Sequence, residues 1–148
     1  MKVVLLRGVS GSGKSTYTRK NYKNSIVCSA DHFFTINGQY TFNPSKLGEA
    51  HQACIKKFVL RCTNEDFNDD TLIVDNTNLT VAEIAPYVQV ALAFGHQVEI
   101  IRLVCMVAEA AKRNTHGVPF KSVEAMAHRF ENLPVYWPKE TEIYTGSN

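Results

Sequence analysis

The sequence contains no apolar run long enough to cross a bilayer, and Met1-Lys2 leads at once into a strand-like segment with no leader-type stretch. No membrane association is therefore expected. Charge of one sign is also scarce: 16 Lys and Arg face 14 Asp and Glu, for a net +2. That is too little for a broad nucleic-acid or membrane surface. Of the four cysteines, Cys28, Cys54, Cys62 and Cys105, no two stand in C-x-x-C spacing, and three lie in apolar surroundings. Buried, reduced thiols are expected, which fits a cytoplasmic location. No repeat, low-complexity tract or linker interrupts the chain. With 148 residues, 45% hydrophobic and 20% charged, residues 1–148 read as one globular domain.

What is present is concentrated near the start. Residues 8–15 read Gly8-Val9-Ser10-Gly11-Ser12-Gly13-Lys14-Ser15, which fits G-x-x-x-x-G-K-[ST], the phosphate-cradling P-loop. The run Val3-Val4-Leu5-Leu6 before it is of the kind buried in a parallel sheet, and Ser15 to Asn21 after it can be helical. Triphosphate oxygens are met by backbone N–H groups, so the chain has to pass close to the ligand; glycines permit that approach. A helix then starts with its free N–H groups and positive dipole end aimed at the phosphates. Ser10, Gly11, Ser12, Gly13, Lys14, Ser15 and Thr16 are the expected nucleotide-binding set. Lys14 supplies a cation for the β- and γ-phosphates and Ser15 a hydroxyl for Mg²⁺. The expected nucleotide is ATP.

Strand and helix signals alternate along the rest of the chain, which implies βαβ units and a mostly parallel sheet. Strands are expected at 2–7, 26–29, 72–75 and 98–104. Helices are expected after the P-loop and at 44–62, 80–94, 107–114 and 121–131. Thr80 followed by Glu83 is a capping box, and Gly95 a helix stop. The long helix at 44–62 would bury Leu47, Ala50, Cys54 and Phe58. Residues 63–70 read as a solvated acidic loop containing Glu65, Asp66, Asp69 and Asp70. The tail from Leu133 is expected to be pinned only in its first half.

Three further positions bear on what is done with the nucleotide. Asp75 ends an apolar strand, where a second carboxylate would hold Mg²⁺ through water; a turn or N-cap aspartate is the alternative. Asp31 closes the strand after the P-loop helix, at the rim where open α/β sheets bind ligands. It could take the proton of an attacking hydroxyl, or merely cap a turn. Lys112-Arg113 could close over the γ-phosphate as a cation supplied in cis, or lie on a solvated helix face. The aromatic residues Phe33, Phe34, Tyr40 and Phe42 beside Asp31 could stack a base or simply pack on one another.

At these residues the chain resembles P-loop kinases of the polynucleotide 5′-kinase type, an AAA-type ATP-binding kinase-like domain. The resemblance rests on residues 8–16, on Asp31, on Asp75-Asn76-Thr77-Asn78-Leu79, and on Lys112-Arg113-Asn114 followed by Val118-Pro119. It implies an α/β three-layer P-loop NTPase fold, with adenylate-kinase-like strand order and a short helical lid. It also implies Asp31 as general base, Lys14 and Ser15 on phosphate and Mg²⁺, and Arg113 as lid cation. Two positions depart from the family pattern. Phe34 stands where an Arg grips the acceptor's phosphate, and His116 where a second lid Arg is expected. The function implied is transfer of the γ-phosphate of ATP to a hydroxyl acceptor, a nucleic-acid 5′ end or nucleoside-like molecule being the first candidate. A nucleotide-dependent switch or adaptor without an acceptor, and a small-molecule kinase, are the competing readings. Neither the acceptor nor the oligomeric state is written in the sequence.

Overall fold

The computed structural model describes residues 1–67 and 70–146. Five parallel strands form the main sheet: β1 (Lys2–Arg7), β2 (Ile26–Cys28), β5 (Thr71–Asp75), β6 (Gln97–Val104) and β7 (Glu140–Tyr144), in the order β2-β5-β1-β6-β7. A two-residue-per-strand hairpin, β3 (Thr35–Ile36) and β4 (Gln39–Tyr40), stands apart from it. Asn37 and Gly38 turn that hairpin with φ of 52° and 79°, the paired left-handed conformations that suit a tight β-turn. The helices are α1 (Lys14–Asn21), α2 (Leu47–Thr63), α3 (Val81–Ala93), α4 (Val107–Arg113) and α5 (Phe120–His128).

The central strands are apolar on both faces because both faces are covered. Val3, Leu5, Leu72, Val74 and Ile100 pack under α2 and α3, with Phe58 meeting Tyr87 edge to face at 5.0 Å between ring centroids. Val4, Leu6, Ile73 and Ile101 pack on the opposite face, against Tyr17 of α1 and Ile143 of β7. This helix–sheet–helix layering is the expected three-layer P-loop NTPase fold. The mostly parallel sheet and its strand order are those the resemblance implied. The Thr80–Glu83 capping box forms in full, and Gly95 follows α3 with φ of 74°.

Two expectations need correction. Leu47 is not core: it sits at the start of α2 with 42% of its surface exposed, while Ala50, Cys54, Phe58 and Cys62 face inward at helical spacing. The tail is not a loose end either. After Trp137 enters the core, β7 pairs in register with β6 and completes the sheet edge. In the acidic stretch, Glu65–Phe67 is a single 3₁₀ turn, with the Arg61 guanidinium 3.9 Å from the centre of the Phe67 ring; Asp69 lies outside the described residues. Cys28, Cys54 and Cys62 are buried free thiols as expected, and burial pushes Cys28 up to about 12 and Cys62 up to about 11.

The end of β1 is locked by a buried cation. The Arg7 guanidinium donates to the carbonyls of Asn78, Leu79 and Glu131 and pairs with Glu140 at 2.6 Å, so its burial is matched by four partners. Asn78 adopts φ of 46° and its side-chain amide donates to the Leu6 carbonyl. Thr77 accepts from the Gly8 N–H. The segment after β5 is thereby fastened to the start of the P-loop. This fastening gives the specific block from Asp75 to Leu79 a physical reason.

Candidate active site

The P-loop leaves β1 at Gly8 and enters α1 at Gly13. Two glycines are obligatory for different reasons. Gly11 has φ of 81°, and a Cβ there would lie 1.9 Å from the Ala110 carbonyl oxygen of α4. Gly13 has φ of 100° and forms the N-cap of α1 without a side-chain hydrogen bond, which leaves the first N–H groups of the helix facing out.

Above the loop lies a cavity of about 220 Å³ that brings together Ser10, Gly11, Gly13, Lys14, Ser15 and Thr16. Asp31, Asp75 and Arg113 open onto the same cavity, so residues from Ser10 to Arg113 converge on one volume. Ser12 is the exception within the expected set. Its side chain is buried beneath the loop, and its carbonyl accepts from the Thr145 hydroxyl.

Lys14 is buried and folds back to donate to the carbonyls of Gly8 at 2.9 Å and Val9 at 3.0 Å. Burial holds its ammonium below the ordinary lysine range, opposed by the carboxylates of Asp75 and Asp31. Ser15 donates its hydroxyl to Asp75 at 2.7 Å. The expected metal pair is thus a hydroxyl and a carboxylate in direct contact. An all-oxygen donor set of this kind suits Mg²⁺, which binds proteins through few ligands and keeps the rest for phosphate and water. Among the described residues no three His, Cys, Asp or Glu side chains converge as a metal cage.

Asp31 is the second residue of a short 3₁₀ turn, Ala30–Phe34, whose first N–H groups are held by neighbours. Ser29 accepts from the Asp31 N–H, and Asn76 accepts from the Ala30 N–H at 2.9 Å. Asn76 is buried, and its amide donates toward Cys54 and Tyr87. It therefore positions the Asp31 turn from the core. The Asp31 carboxylate accepts from the Tyr40 hydroxyl at 3.3 Å and lies 3.7 Å from His116 Nε2. Tyr40 and His116 stack with ring centroids 4.0 Å apart. Burial, with the Asp31 carboxylate adding, pushes the Tyr40 phenol up to about 12, so it stays a donor at neutral pH. His116, which replaces the expected second lid arginine, reaches the carboxylate itself. Sequence reasoning missed both of these contacts and the supporting role of Asn76.

The aromatic group beside Asp31 divides. Phe34 is buried and packs edge to face on Phe33, Tyr40 and Phe42, which is the packing alternative and not a base platform. Phe42 is 50% exposed. It stands with Leu47 on a second cavity of about 690 Å³ that shares Asp31, Asn76, Thr77 and His116 with the first.

Arg113 ends α4 and faces the P-loop. Its guanidinium donates to Cys105 Sγ at 3.0 Å and to the Thr145 carbonyl at 3.2 Å. The lid turn that follows is tied by Asn114, which bonds Val118 through both its amide and its oxygen. Lys112 does not join the cavity lining. Among the described residues no helix is long and apolar enough to cross a membrane.

Known proteins share this fold. NEDD4-binding protein 2 of Homo sapiens is 35% identical over 147 residues, covering 90% of this chain but only 8% of that protein's length. Among solved structures, Kti12 of Chaetomium thermophilum in complex with ADP-AlF3 has a TM-score of 0.68 at 16% identity, covering 96% of this chain and 88% of that one. The APS kinase CysC of Mycobacterium tuberculosis, in complex with AMPPNP and APS, has a TM-score of 0.58 at 17% identity, covering 97% and 87%. At those identities the two structures speak for the fold alone. A family model described as an AAA domain matches residues 3–133, and the chain accordingly belongs to the AAA_33 family of AAA domains, a P-loop kinase family.

Proposed function

We propose that this chain is an ATP-dependent kinase that moves the γ-phosphate to a hydroxyl acceptor, a nucleic-acid 5′ end or nucleoside-like alcohol being the first candidate. The observation that carries the reading is the place of Asp31. Its carboxylate opens both onto the cavity of the P-loop and onto the larger cavity beside it, where an acceptor could approach. A hydrolysing switch would have no need of a carboxylate between two cavities.

In this reading the backbone of the P-loop and the start of α1 hold the triphosphate. Lys14 exchanges the carbonyls of Gly8 and Val9 for phosphate oxygens. Ser15 and Asp75 would hold Mg²⁺, which neutralises charge on the phosphates. The acceptor oxygen attacks the γ-phosphorus as the bond to the β-phosphate oxygen breaks, ADP leaves, and the hydroxyl proton passes to the Asp31 carboxylate. Tyr40 and His116 orient that carboxylate by addressing its two oxygens. Arg113 would leave Cys105 and Thr145 to meet the charge on the transferring group.

The test is transfer of labelled γ-phosphate from ATP to a panel of alcohols that includes 5′-OH RNA, 5′-OH DNA and nucleosides. Label on any member, lost in Lys14→Ala, supports the kinase. Release of ADP with no labelled acceptor across the panel speaks for a hydrolysing switch and against it.

A further inference from the structure

The cavity beyond Asp31 has a chemical character of its own. Phe42, Leu47, Ile55, Pro86, Val118 and Met126 give it apolar walls, drawn from the hairpin, α2, α3, the lid and α5. Its volume of about 690 Å³ falls within the range of roughly 300–1,000 Å³ in which proteins enclose small organic ligands. Polar side chains line the rest of it, among them His51 and Gln52 of α2, Glu83 with Arg129 across the cleft, and Asp31, Tyr40 and His116.

Charge narrows the ligand further. Among the lining residues two carboxylates, Asp31 and Glu83, face one guanidinium, Arg129. That guanidinium is already bound to Glu83 at 2.6 Å. The remaining titratable groups are His51, His116, Tyr40 and Tyr87, and burial raises the pKa of both tyrosines so that they stay neutral. Among the described residues no unpaired Lys or Arg lines the cleft. Phe34, on the hairpin side, is buried in an apolar cluster with Ala30 and Ala50. With Glu83 compensated by Arg129, an anion entering here would meet the Asp31 carboxylate with no free fixed cation lining the cleft, a like-charge arrangement that is costly when desolvated. A polyhydroxylated chain would find polar partners but leave the apolar walls of Phe42, Leu47, Ile55 and Met126 unmatched. A flat heteroaromatic body suits the walls, and its edge atoms can meet Gln52, His51 and the Glu83–Arg129 pair.

We infer that this cleft is the acceptor site and that it takes an uncharged alcohol with a flat heteroaromatic body, a free nucleoside-class molecule, with its hydroxyl toward Asp31. The inference rests on the kinase reading above. The group transferred and the bonds made and broken are those already written. What is added is the chemical class of the acceptor and the residues that select it.

Two measurements test it. The first is kcat/KM of the wild-type chain for a nucleoside, for the same nucleoside carrying a 3′-phosphate with its 5′-hydroxyl free, for a 5′-OH oligonucleotide, and for gluconate. The nucleoside should lead each anionic acceptor by about tenfold or more, since one uncompensated like charge costs at least that factor. Equal or better use of a phosphate-bearing acceptor or of gluconate overturns the inference and leaves the kinase reading intact. Transfer to no member overturns the kinase reading and the inference with it.

The second uses Gly48, which lines the cleft in the first turn of α2 and whose added Cβ would meet nothing within 4 Å. In Gly48→Phe the ring fills the cleft, and calorimetric binding of Mg-ATP reports that the variant is folded. The nucleoside KM should rise about tenfold or more, the usual scale of an overpacked site. An unchanged KM in folded protein overturns the inference. Should Gly48→Phe fail to fold, the wild-type acceptor ratio decides alone.

Discussion

The P-loop and α4 touch at one point where no side chain fits, and that contact can be tested in isolation. In Gly11→Ala the new methyl would sit 1.9 Å from the Ala110 carbonyl oxygen, a backbone atom that cannot rotate away. Two costs follow. The φ of 81° places an L-residue in the left-handed region, worth about 1–2 kcal/mol. Separating the loop from α4 adds a packing cost of about 1–3 kcal/mol. Gly95→Ala supplies the control, because Gly95 has φ of 74° but nothing within 4 Å of its added Cβ. It bears the first cost alone.

For a chain of this size each kcal/mol moves Tm by about 2–4 °C. Gly11→Ala should then lose about 5–15 °C in a calorimetric scan, and Gly95→Ala about 3–6 °C. Gly11→Ala should also weaken Mg-ATP binding by about tenfold or more, since the loop and the lid helix that carries Arg113 are pushed apart. Equal Tm losses in the two variants, with Gly11→Ala binding ATP as wild type does, would refute the close approach of α4 to the P-loop.

Other outcomes follow from the same geometry. Lys14→Ala should weaken Mg-ATP binding by about ten- to a hundredfold in calorimetry, the loss of a charge-assisted contact of about 1.5–3 kcal/mol; unchanged affinity would take Lys14 off the phosphates. Asp75→Asn should shift the Mg²⁺ dependence of activity to higher concentration, because the hydroxyl of Ser15 would keep its hydrogen-bond partner but not the charge. An identical Mg²⁺ titration would leave Asp75 as an anchor for Ser15 only. Arg113→Ala should slow turnover by as much as about 10³-fold while changing ATP affinity less, since its present partners are Cys105 and Thr145. Equal loss of affinity and rate would make it a ground-state contact.

Much of this was legible because it is local. The P-loop declares itself in eight consecutive residues, and the capping box at Thr80 in four. Ser15 and Asp75 could be paired from afar because Ser15 opens the helix that follows β1 and Asp75 ends β5, neighbouring strands whose carboxyl ends a parallel sheet brings to one rim. β7 was hidden for the opposite reason. Glu140-Thr141-Glu142-Ile143-Tyr144 lies at the sheet edge with Ile143 as its inward apolar contact, so it reads as a polar tail. Leu47 kept helical spacing with the core yet lines a cleft mouth, a distinction that periodicity alone does not carry. The second cavity draws on separated segments from the P-loop to the end of α5, and His116 meets Asp31 from 85 positions further along the chain. Such meetings depend on tertiary closure, and no window of sequence contains them.

The central claim is that Asp31 accepts the proton of an attacking hydroxyl. Asp31→Asn keeps the shape of the side chain and leaves the turn hydrogen bonds from Asn76 and Ser29 in place. The direct measurement is single-turnover transfer of γ-phosphate by this variant, with the acceptor that the wild-type panel identifies. Mg-ATP affinity should stay within a few-fold of wild type while transfer falls by about 10²–10⁴, the range for removal of a general base. Transfer at the wild-type rate by folded, ATP-bound Asp31→Asn would contradict the claim.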